Sequence, residues 1–140
     1  MAADQELLQR LKSVPLFEGL SDKELKAVAN ASRTVEHQAG HEIVEEGGGS
    51  VGFHLILEGQ ATVSQGTRTI RTLGPGDYFG EISVIDGKPR SATVKSDSPM
   101  RTLSLAAWKF QPLLDENPTL ARKILLGLCQ TLRESDAQLR

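Results

Sequence analysis

Apolar residues recur with a helical period at both ends of the chain and with a period of about two between them. Near the N-terminus, an apolar stripe predicts a first helix that Asp4 caps and Pro15 ends. The stripe consists of Leu7, Leu8, Leu11 and Val14. The sequence SDKE at residues 21–24 is a capping-box pattern, which predicts the start of a second helix at Ser21.

The middle of the chain, from about Arg33 to Leu105, consists of short alternating runs separated by glycines. The runs are EIVEE, GFHLILE, QATVSQ, TRTIRTL, SATVKS and MRTLSL. Short strands at this spacing predict a small antiparallel roll or barrel.

The C-terminal part is again helical. Residues 106–118 predict a short helix that closes near Pro118, and a longer amphipathic helix follows it. The apolar stripe of the longer helix, interrupted by Ser135, consists of Leu120, Ile124, Leu128, Leu132 and Leu139. We expect the stripe either to cover the roll or to pair with a second copy of the chain. One domain over 1–140 is predicted, with helices at 1–32, a roll at 33–105 and helices at 106–140.

Composition limits the classes of function. A chain of 140 residues with 39% hydrophobic content can bury one core. A net charge of -2 and a pI near 5.9 argue against a general nucleic-acid binder, since phosphate backbones attract basic proteins. The N-terminus lacks a basic start and an apolar run, and no window approaches the ~18 apolar residues of a membrane span. A soluble, cytoplasmic protein is therefore expected.

Histidines and cysteine do not form a recognisable catalytic or metal centre in the sequence. His37 and His41 are four residues apart, but Gly40 and the strand-like surroundings favour ordinary surface residues. His54 is expected on the opposite strand face from its neighbours. Cys129 is expected to be a small buried apolar residue. A metal-dependent or nucleophile-dependent enzyme is thus not expected, nor is a metal or cofactor.

A glycine pattern formally matches the dinucleotide-binding fingerprint. It consists of Gly47, Gly49 and Gly52 after a plausible strand. The fingerprint requires a helix next, whose N-terminus receives the pyrophosphate, and here another strand follows. A hairpin connection is the better interpretation.

The stretch FGEISVIDGKPRSATV, residues 79–94, carries the most specific chemistry. A short helix that begins at Gly80 and ends at Gly87 would aim backbone N–H groups at an anion. Arg90 adds a planar fork of donors suited to phosphate, and Ser91 adds a hydroxyl. Glu81 is suited to accept hydrogen bonds from sugar hydroxyls. The pattern fits a sugar phosphate, although an ion pair between Glu81 and Arg90 that braces the loop is the alternative.

The same stretch resembles the phosphate-binding cassette of the cyclic nucleotide-binding domain family. The family pattern has Phe-Gly-Glu, a short apolar helix, Pro-Arg, a small residue, Ala, Thr or Ser, and Val. The matching residues are Phe79, Gly80, Glu81, Pro89, Arg90, Ser91, Ala92, Thr93 and Val94. The resemblance continues through VPLFEGLSDKEL, LILEGQATV and LGPGDYFGE, and so covers nearly the whole chain.

The resemblance implies a double-stranded β-helix, a jelly-roll-like β-roll of the catabolite-activator and protein kinase A regulatory-subunit type. It implies that Arg90 pairs with a cyclic phosphate and that Glu81 holds the ribose 2′-hydroxyl. Backbone amides at Gly80, Ile82, Ser91 and Ala92 complete this part of the site. By position, Val63, Ile70 and Arg71 would line the base, under a lid at residues 131–136.

The residues that would contact the base fit either adenine or guanine. Some guanosine-selective relatives have an arginine at the position of Arg71 and a hydroxyl at that of Ser91, and an arginine fork matches guanine O6 and N7. Serine at the second position also occurs in adenosine-type bacterial relatives, where it helps to bind the phosphate. Cyclic AMP (cAMP) is therefore the favoured ligand, with cyclic GMP (cGMP) as the alternative.

The resemblance predicts a non-catalytic sensor whose C-terminal helix rearranges when nucleotide binds. Because no helix-turn-helix follows the long helix, DNA is not expected as a partner. An effector protein in trans is expected instead, and a homodimer through residues 118–139 is possible in this family. A ligand-free interaction domain with the same fold is the remaining alternative.

Overall fold

A computed structural model describes residues 2–44, 47, 52–88 and 92–139, with side chains between residues 5 and 135. The helices are α1 (Ala2–Lys12), α2 (Asp22–Ala31), α3 (Glu81–Asp86), α4 (Ala107–Glu116) and α5 (Pro118–Leu139), with a 3-10 turn at Pro15–Phe17. The strands are β1 (Arg33–His37), β2 (Glu42–Val44), β3 (Gly52–Glu58), β4 (Ala61–Gln65), β5 (Arg68–Leu73), β6 (Tyr78–Phe79), β7 (Thr93–Ser96) and β8 (Met100–Ala106). The predicted class, mainly β with flanking helices, is confirmed.

The chain divides into two compact units. The roll unit comprises residues 30–111, and the helical unit comprises residues 1–29 with 112–140. No helix in the described part of the chain is long and apolar enough to cross a bilayer.

The helical unit contains the predicted capping box at the start of α2. The backbone N–H of Ser21 donates to Glu24 Oε1 at 2.9 Å, and the N–H of Glu24 donates to Ser21 Oγ at 3.1 Å. Leu25 and Val28 are buried as the helical period requires. The cap predicted at Asp4 is wrong, because α1 begins at Ala2 and includes that residue.

Helix α5 uses only the first part of its predicted stripe to build the core of the helical unit. Leu120 and Ile124 are buried, whereas Leu132 is 65% exposed. Cys129 is also exposed, contrary to the prediction. Each residue advances about 100° around a helix, so Cys129 stands roughly 140° away from buried Ile124. The side chain of Leu139 lies outside the described residues.

The roll unit is built from two four-stranded sheets. Sheet A has the order β1-β8-β3-β6, sheet B has the order β2-β7-β4-β5, and every strand pair is antiparallel. Side chains from both sheets form one apolar cluster, which defines the inner face of each sheet. Its buried members are Val44, Ile56, Ala61, Val63, Leu73, Phe79, Val94 and Met100.

Strand β3 is buried on both faces, which its sequence of mostly apolar residues reflects. Ile56 belongs to the inner cluster, and Phe53 on the opposite face stacks on Phe110 of α4 with ring centroids 4.4 Å apart. The predicted runs omitted β1 and β6. Strand β6 is only two residues long and follows a glycine-rich turn, so its alternation is too short to detect.

Candidate ligand-binding site

Two glycines define the short helix α3, as the sequence predicted. Gly80 is the N-cap with φ 93° and ψ -5°, and Gly87 is the C-cap with φ 71°. Both lie in the left-handed region, which glycine adopts without steric cost. The N–H of Gly87 donates to the carbonyl of Ser83 at 2.9 Å and so closes the helix. The helix thereby begins directly after strand β6, at the edge of sheet A.

Glu81 is the first residue of α3 and is only 7% exposed. Among the described residues it is the one charged side chain that is buried. A carboxylate in the first helical turn is stabilised by the helix dipole, but burial of a charge is costly unless other groups compensate it. The position therefore favours a carboxylate that makes several polar interactions.

The other side chains of α3 differ in exposure. Val84 is buried, whereas Ile82 is 40% exposed, so the role that the resemblance gives to Ile82 rests on its backbone. The carbonyl of Val84 accepts a hydrogen bond from Gln111 Nε2 at 2.6 Å. Gln111 lies in α4, so a side chain of that helix anchors the middle of α3 within the roll unit.

A bulge in strand β5 brings two predicted base-lining residues to the same face. Val63 pairs with Arg71, but the next residue of β4, Ser64, pairs with Thr69, so Ile70 is an additional residue on β5. Directly opposed residues share a face, which places Arg71 on the side of buried Val63. Ile70 also packs against the inner cluster. Val63, Ile70 and Arg71 are therefore together on the inner face of sheet B.

Glu81 and Arg71 both affect the ionisation of Tyr78. Burial and the charge of Glu81 raise the pKa of the Tyr78 hydroxyl above its usual 10.0, with a smaller contribution from Asp77, while the positive charge of Arg71 opposes the shift. Glu81 and Arg71 therefore both lie close enough to Tyr78 to affect its hydroxyl. Sequence reasoning did not assign a role to Tyr78, although it directly precedes the Phe-Gly-Glu motif.

The remaining predicted residues are only partly described. Ala92 is half-buried and packs against the inner cluster at the start of β7. Arg90 and Ser91 lie outside the described residues. The proposed lid, residues 131–136, lies in α5 and so belongs to the helical unit, where the hydroxyl of Thr131 donates to the carbonyl of Gly127 at 3.0 Å.

The histidines have more structural partners than predicted. His37 is half-buried and its Nε2 lies 2.9 Å from Thr102 Oγ1, so it is not an ordinary surface residue, whereas His41 is exposed. His54 bonds Ser104 and stacks on Phe79, on the face predicted for it. The described residues contain no group of three or more metal-ligating side chains. At the glycine pattern, a strand rather than a helix follows, because β3 starts at Gly52. The predicted hairpin connection is nevertheless wrong, because β2 and β3 lie in different sheets. Gly49 lies outside the described residues.

The glycine-started helix, its buried glutamate and the two-sheet roll agree with a comparison to known families. Residues 34–117, more than half of the chain, match the description "Cyclic nucleotide-binding domain". The chain belongs to the cyclic nucleotide-binding domain family. This confirms the resemblance drawn from residues 79–94.

Individual relatives agree with this assignment. The chain is 37% identical over 105 residues to a cAMP-dependent protein kinase regulatory subunit of Eremothecium gossypii, an alignment that covers 74% of this chain and 23% of that protein. The chain therefore spans about a quarter of this curated relative.

Solved structures of the family share the fold. The catabolite activator protein of Thermus thermophilus superposes with a TM-score of 0.81 and 28% identity over 89% of this chain and 61% of the other. The regulatory domain of Toxoplasma gondii PKA, co-crystallised with cAMP, superposes with a TM-score of 0.80 and 26% identity. This superposition covers 91% of this chain and 49% of the other. The predicted β-roll of the catabolite-activator and kinase regulatory type is confirmed.

Proposed function

We propose that this chain is a non-catalytic sensor of a cyclic nucleotide, with cAMP as the favoured ligand. The observation that supports this most directly is the burial of Glu81 at the start of α3, in a chain that belongs to the cyclic nucleotide-binding domain family. A buried carboxylate beside a glycine-rich turn suits a ligand that brings its own hydroxyl donors.

The proposed site has two chemically distinct ends. The backbone amides of Gly80, Ile82, Ser91 and Ala92 and the guanidinium of Arg90 bind the cyclic phosphate, because a planar cation and oriented N–H groups stabilise an anion. Ionised Glu81 accepts hydrogen bonds from the ribose 2′-hydroxyl, and its negative charge disfavours a phosphate bound directly against it.

The base is proposed to lie against the inner face of sheet B. Val63 and Ile70 offer apolar contact to a purine ring, and the β5 bulge sets Arg71 beside them. The names of two relatives, a cAMP-dependent kinase subunit and a PKA regulatory domain co-crystallised with cAMP, support adenine as the base. One Arg71 contact would discriminate between purines by about 1–3 kcal/mol.

The output is proposed to be a rearrangement of the C-terminal helix that a separate effector protein recognises. A ligand shifts the equilibrium between two conformations of a protein only when it binds one of them better than the other. A homodimer through residues 118–139 would use the exposed end of the predicted stripe around Leu132, since Leu120 and Ile124 are already buried within the helical unit.

Calorimetric titration with cAMP and with cGMP tests the proposed function. Arg90→Ala should weaken cAMP binding at least about 100-fold, because it removes two charge-assisted hydrogen bonds of about 1.5–3 kcal/mol each. Glu81→Gln should weaken binding about tenfold, since the amide oxygen is a poorer acceptor. Exposed Arg68→Ala and Glu42→Gln are matched controls that should bind like the wild type.

Other outcomes of this titration would each favour a different interpretation of the site. Tighter binding of cGMP than cAMP would reverse the proposed selectivity. Absence of binding to both nucleotides would refute the sensor and favour a ligand-free interaction domain. Equal loss of affinity in Arg90→Ala and Arg68→Ala would show that general charge, rather than the cassette, attracts the nucleotide.

A further inference from the structure

The apolar residues of α5 form two stripes that face different directions. Leu120 and Ile124 form the first stripe and are buried in the helical unit. The second stripe lies beside the first, because each residue advances about 100° around a helix and Leu125 directly follows Ile124. Its members, spaced alternately four and three residues apart, are Ala121, Leu125, Leu128, Leu132, Ser135 and Leu139. We call this second stripe the α5 seam.

The α5 seam is largely uncovered in the single chain. Leu125 is 61% exposed and Leu132 is 65% exposed, whereas Ala121 and Leu128 are half-buried. Exposed leucines in a continuous row are unfavourable in water and mark a surface that another apolar surface can cover.

The spacing of the α5 seam is that of a coiled coil. Residues alternately four and three apart occupy positions a and d of a heptad, and two helices bury such rows against each other. Leu125 and Leu132 are at position a, and Leu128 is at position d. A helix that only covers its own core has a broader apolar face. A second copy of the chain supplies the matching row.

The two flanks of the α5 seam differ in chemistry. The residues at position e, on one flank, are Arg122, Cys129 and Asp136. Arg122 and Cys129 are exposed. Position g, on the other flank, includes buried Ile124 and half-buried Thr131, whose hydroxyl donates to a carbonyl of its own helix. Charged residues therefore flank the seam at position e.

The charges at position e favour one orientation of two paired helices. In a parallel pair, position e of one helix faces position g of the other, so that Arg122 and Asp136 would each face an uncharged flank. In an antiparallel pair, position e faces position e. Arg122 of one copy is then opposite the aspartate at position 136 of the other, and Cys129 is opposite Cys129 of the second copy.

We propose that α5 pairs antiparallel with α5 of a second copy of this chain through the α5 seam. Leu128 of each copy then lies against Leu132 of the other. The inference gives a geometry to the homodimer of the proposed function and rests on that part of it, but the pairing does not require bound nucleotide. The α5 seam spans residues 121–139, which is short for a coiled coil, so the dimer should dissociate on dilution.

Sedimentation equilibrium of the nucleotide-free protein over a range of concentrations tests the pairing. Leu132→Asp should raise the dissociation constant of the dimer at least about 100-fold, because the dimer loses two buried leucines worth about tenfold each. Leu126→Asp is the matched control, since Leu126 is 54% exposed in the same helix but lies outside the α5 seam. It should dimerise like the wild type. Circular dichroism of each variant shows whether it is folded.

Charge reversal tests the contribution of position e. Arg122→Asp and Asp136→Arg should each weaken the dimer about fivefold, because an exposed ion pair contributes modestly and the dimer contains two. The double variant should regain the wild-type dissociation constant. Arg133→Asp changes an exposed arginine outside the α5 seam and its flanks and should have no effect. Failure of the double variant to recover would contradict the antiparallel pairing of charges.

Oxidative cross-linking tests the orientation directly. Leu128→Cys and Leu132→Cys are made separately in a Cys129→Ala background, and one of them carries a tag that changes its mass. A disulfide requires Cα atoms within about 7 Å, so an antiparallel pair should link the two variants to each other when they are mixed. A parallel pair would instead link each variant to itself.

The outcomes separate this inference from the sensor function. A wild type that stays monomeric up to its solubility limit, or equal effects of Leu126→Asp and Leu132→Asp, would overturn the pairing. Linkage of each cysteine variant only to itself would overturn the antiparallel orientation. Calorimetry with cAMP decides the sensor function separately, because a dimer that binds no nucleotide would refute the sensor and leave the pairing intact.

Discussion

Helices α2 and α3 begin in opposite ways. In α2, Ser21 and Glu24 cap the helix with two reciprocal side-chain hydrogen bonds. In α3, the N-cap is Gly80, which has no side chain and adopts a left-handed conformation. Each helix has a glutamate in its first turn, but Glu24 bonds its own helix start at an exposed position, whereas Glu81 is buried. The first arrangement contributes to stability, and the second suits a site whose groups act on a ligand.

Among the changes that test this comparison of α2 with α3, Gly80→Ala should have the largest effect. A residue with a Cβ at φ 93° costs about 1–2 kcal/mol in stability, and relief of this strain would shift the start of α3. We expect cAMP affinity to fall at least about tenfold by calorimetry, since one lost charge-assisted hydrogen bond already accounts for that factor. Gly66→Ala is the control, because Gly66 also has a positive φ of 57° but lies in the turn after β4. Similar affinities for the two variants would contradict the distinction between α2 and α3.

Ser21→Ala should affect stability alone. Loss of an N-cap side chain costs about 1 kcal/mol, which urea unfolding followed by circular dichroism can measure. We expect cAMP affinity to stay within error of the wild type. Glu24→Gln retains the capping-box pattern and should be nearly neutral. A fall in affinity for Ser21→Ala would show that the cap of α2 also serves the binding site.

A smaller effect is expected on the ionisation of Tyr78, which is the one tyrosine of the sequence and can be followed by ultraviolet absorbance. Glu81→Gln should lower the pKa of Tyr78, because a negative charge that disfavours tyrosinate is removed, and Arg71→Gln should raise it. The raised pKa also means that the folded protein retains the phenolic proton longer than the unfolded chain. The corresponding stability is present below pH 10.0 and is lost as the pH rises above it.

The control for this titration is Glu42→Gln, which removes an exposed carboxylate on sheet B. If it lowered the pKa of Tyr78 as much as Glu81→Gln does, net charge and not proximity would explain the shift. Unchanged pKa values in all three variants would show that Glu81 and Arg71 do not act on Tyr78.

Much of the fold followed from local patterns in the sequence. The capping box fixed the start of α2, and the glycines at residues 80 and 87 fixed both ends of α3, because each signal depends on a few neighbouring residues. The predicted cap at Asp4 failed because helix starts depend on more than one suitable side chain. Exposed Cys129 shows that an apolar residue in a leucine-rich helix can still be on the solvent side.

The candidate site was predictable only in part. The Phe-Gly-Glu motif indicated Glu81, but the hydrogen bonds of His54 with Ser104 and of His37 with Thr102 depend on the register of three strands, which one sequence does not specify. The bulge at Ile70 was equally invisible, because it appears only when β5 is paired with β4. The sequence therefore identified the chemical groups, and the strand pairing identified which of them meet.

The extra residue in β5 has a consequence for protein engineering. Deletion of Ile70 would restore a regular ladder in which Thr69 is still opposite Ser64 and Arg71 is still opposite Val63, so the remaining side chains would keep their faces and the inner face would lose only Ile70. The shape of this face could thus be altered by a change in length, without a change in the chemistry of the remaining side chains. A library that varies insertions and deletions at this position would explore pocket shapes that point substitutions cannot reach.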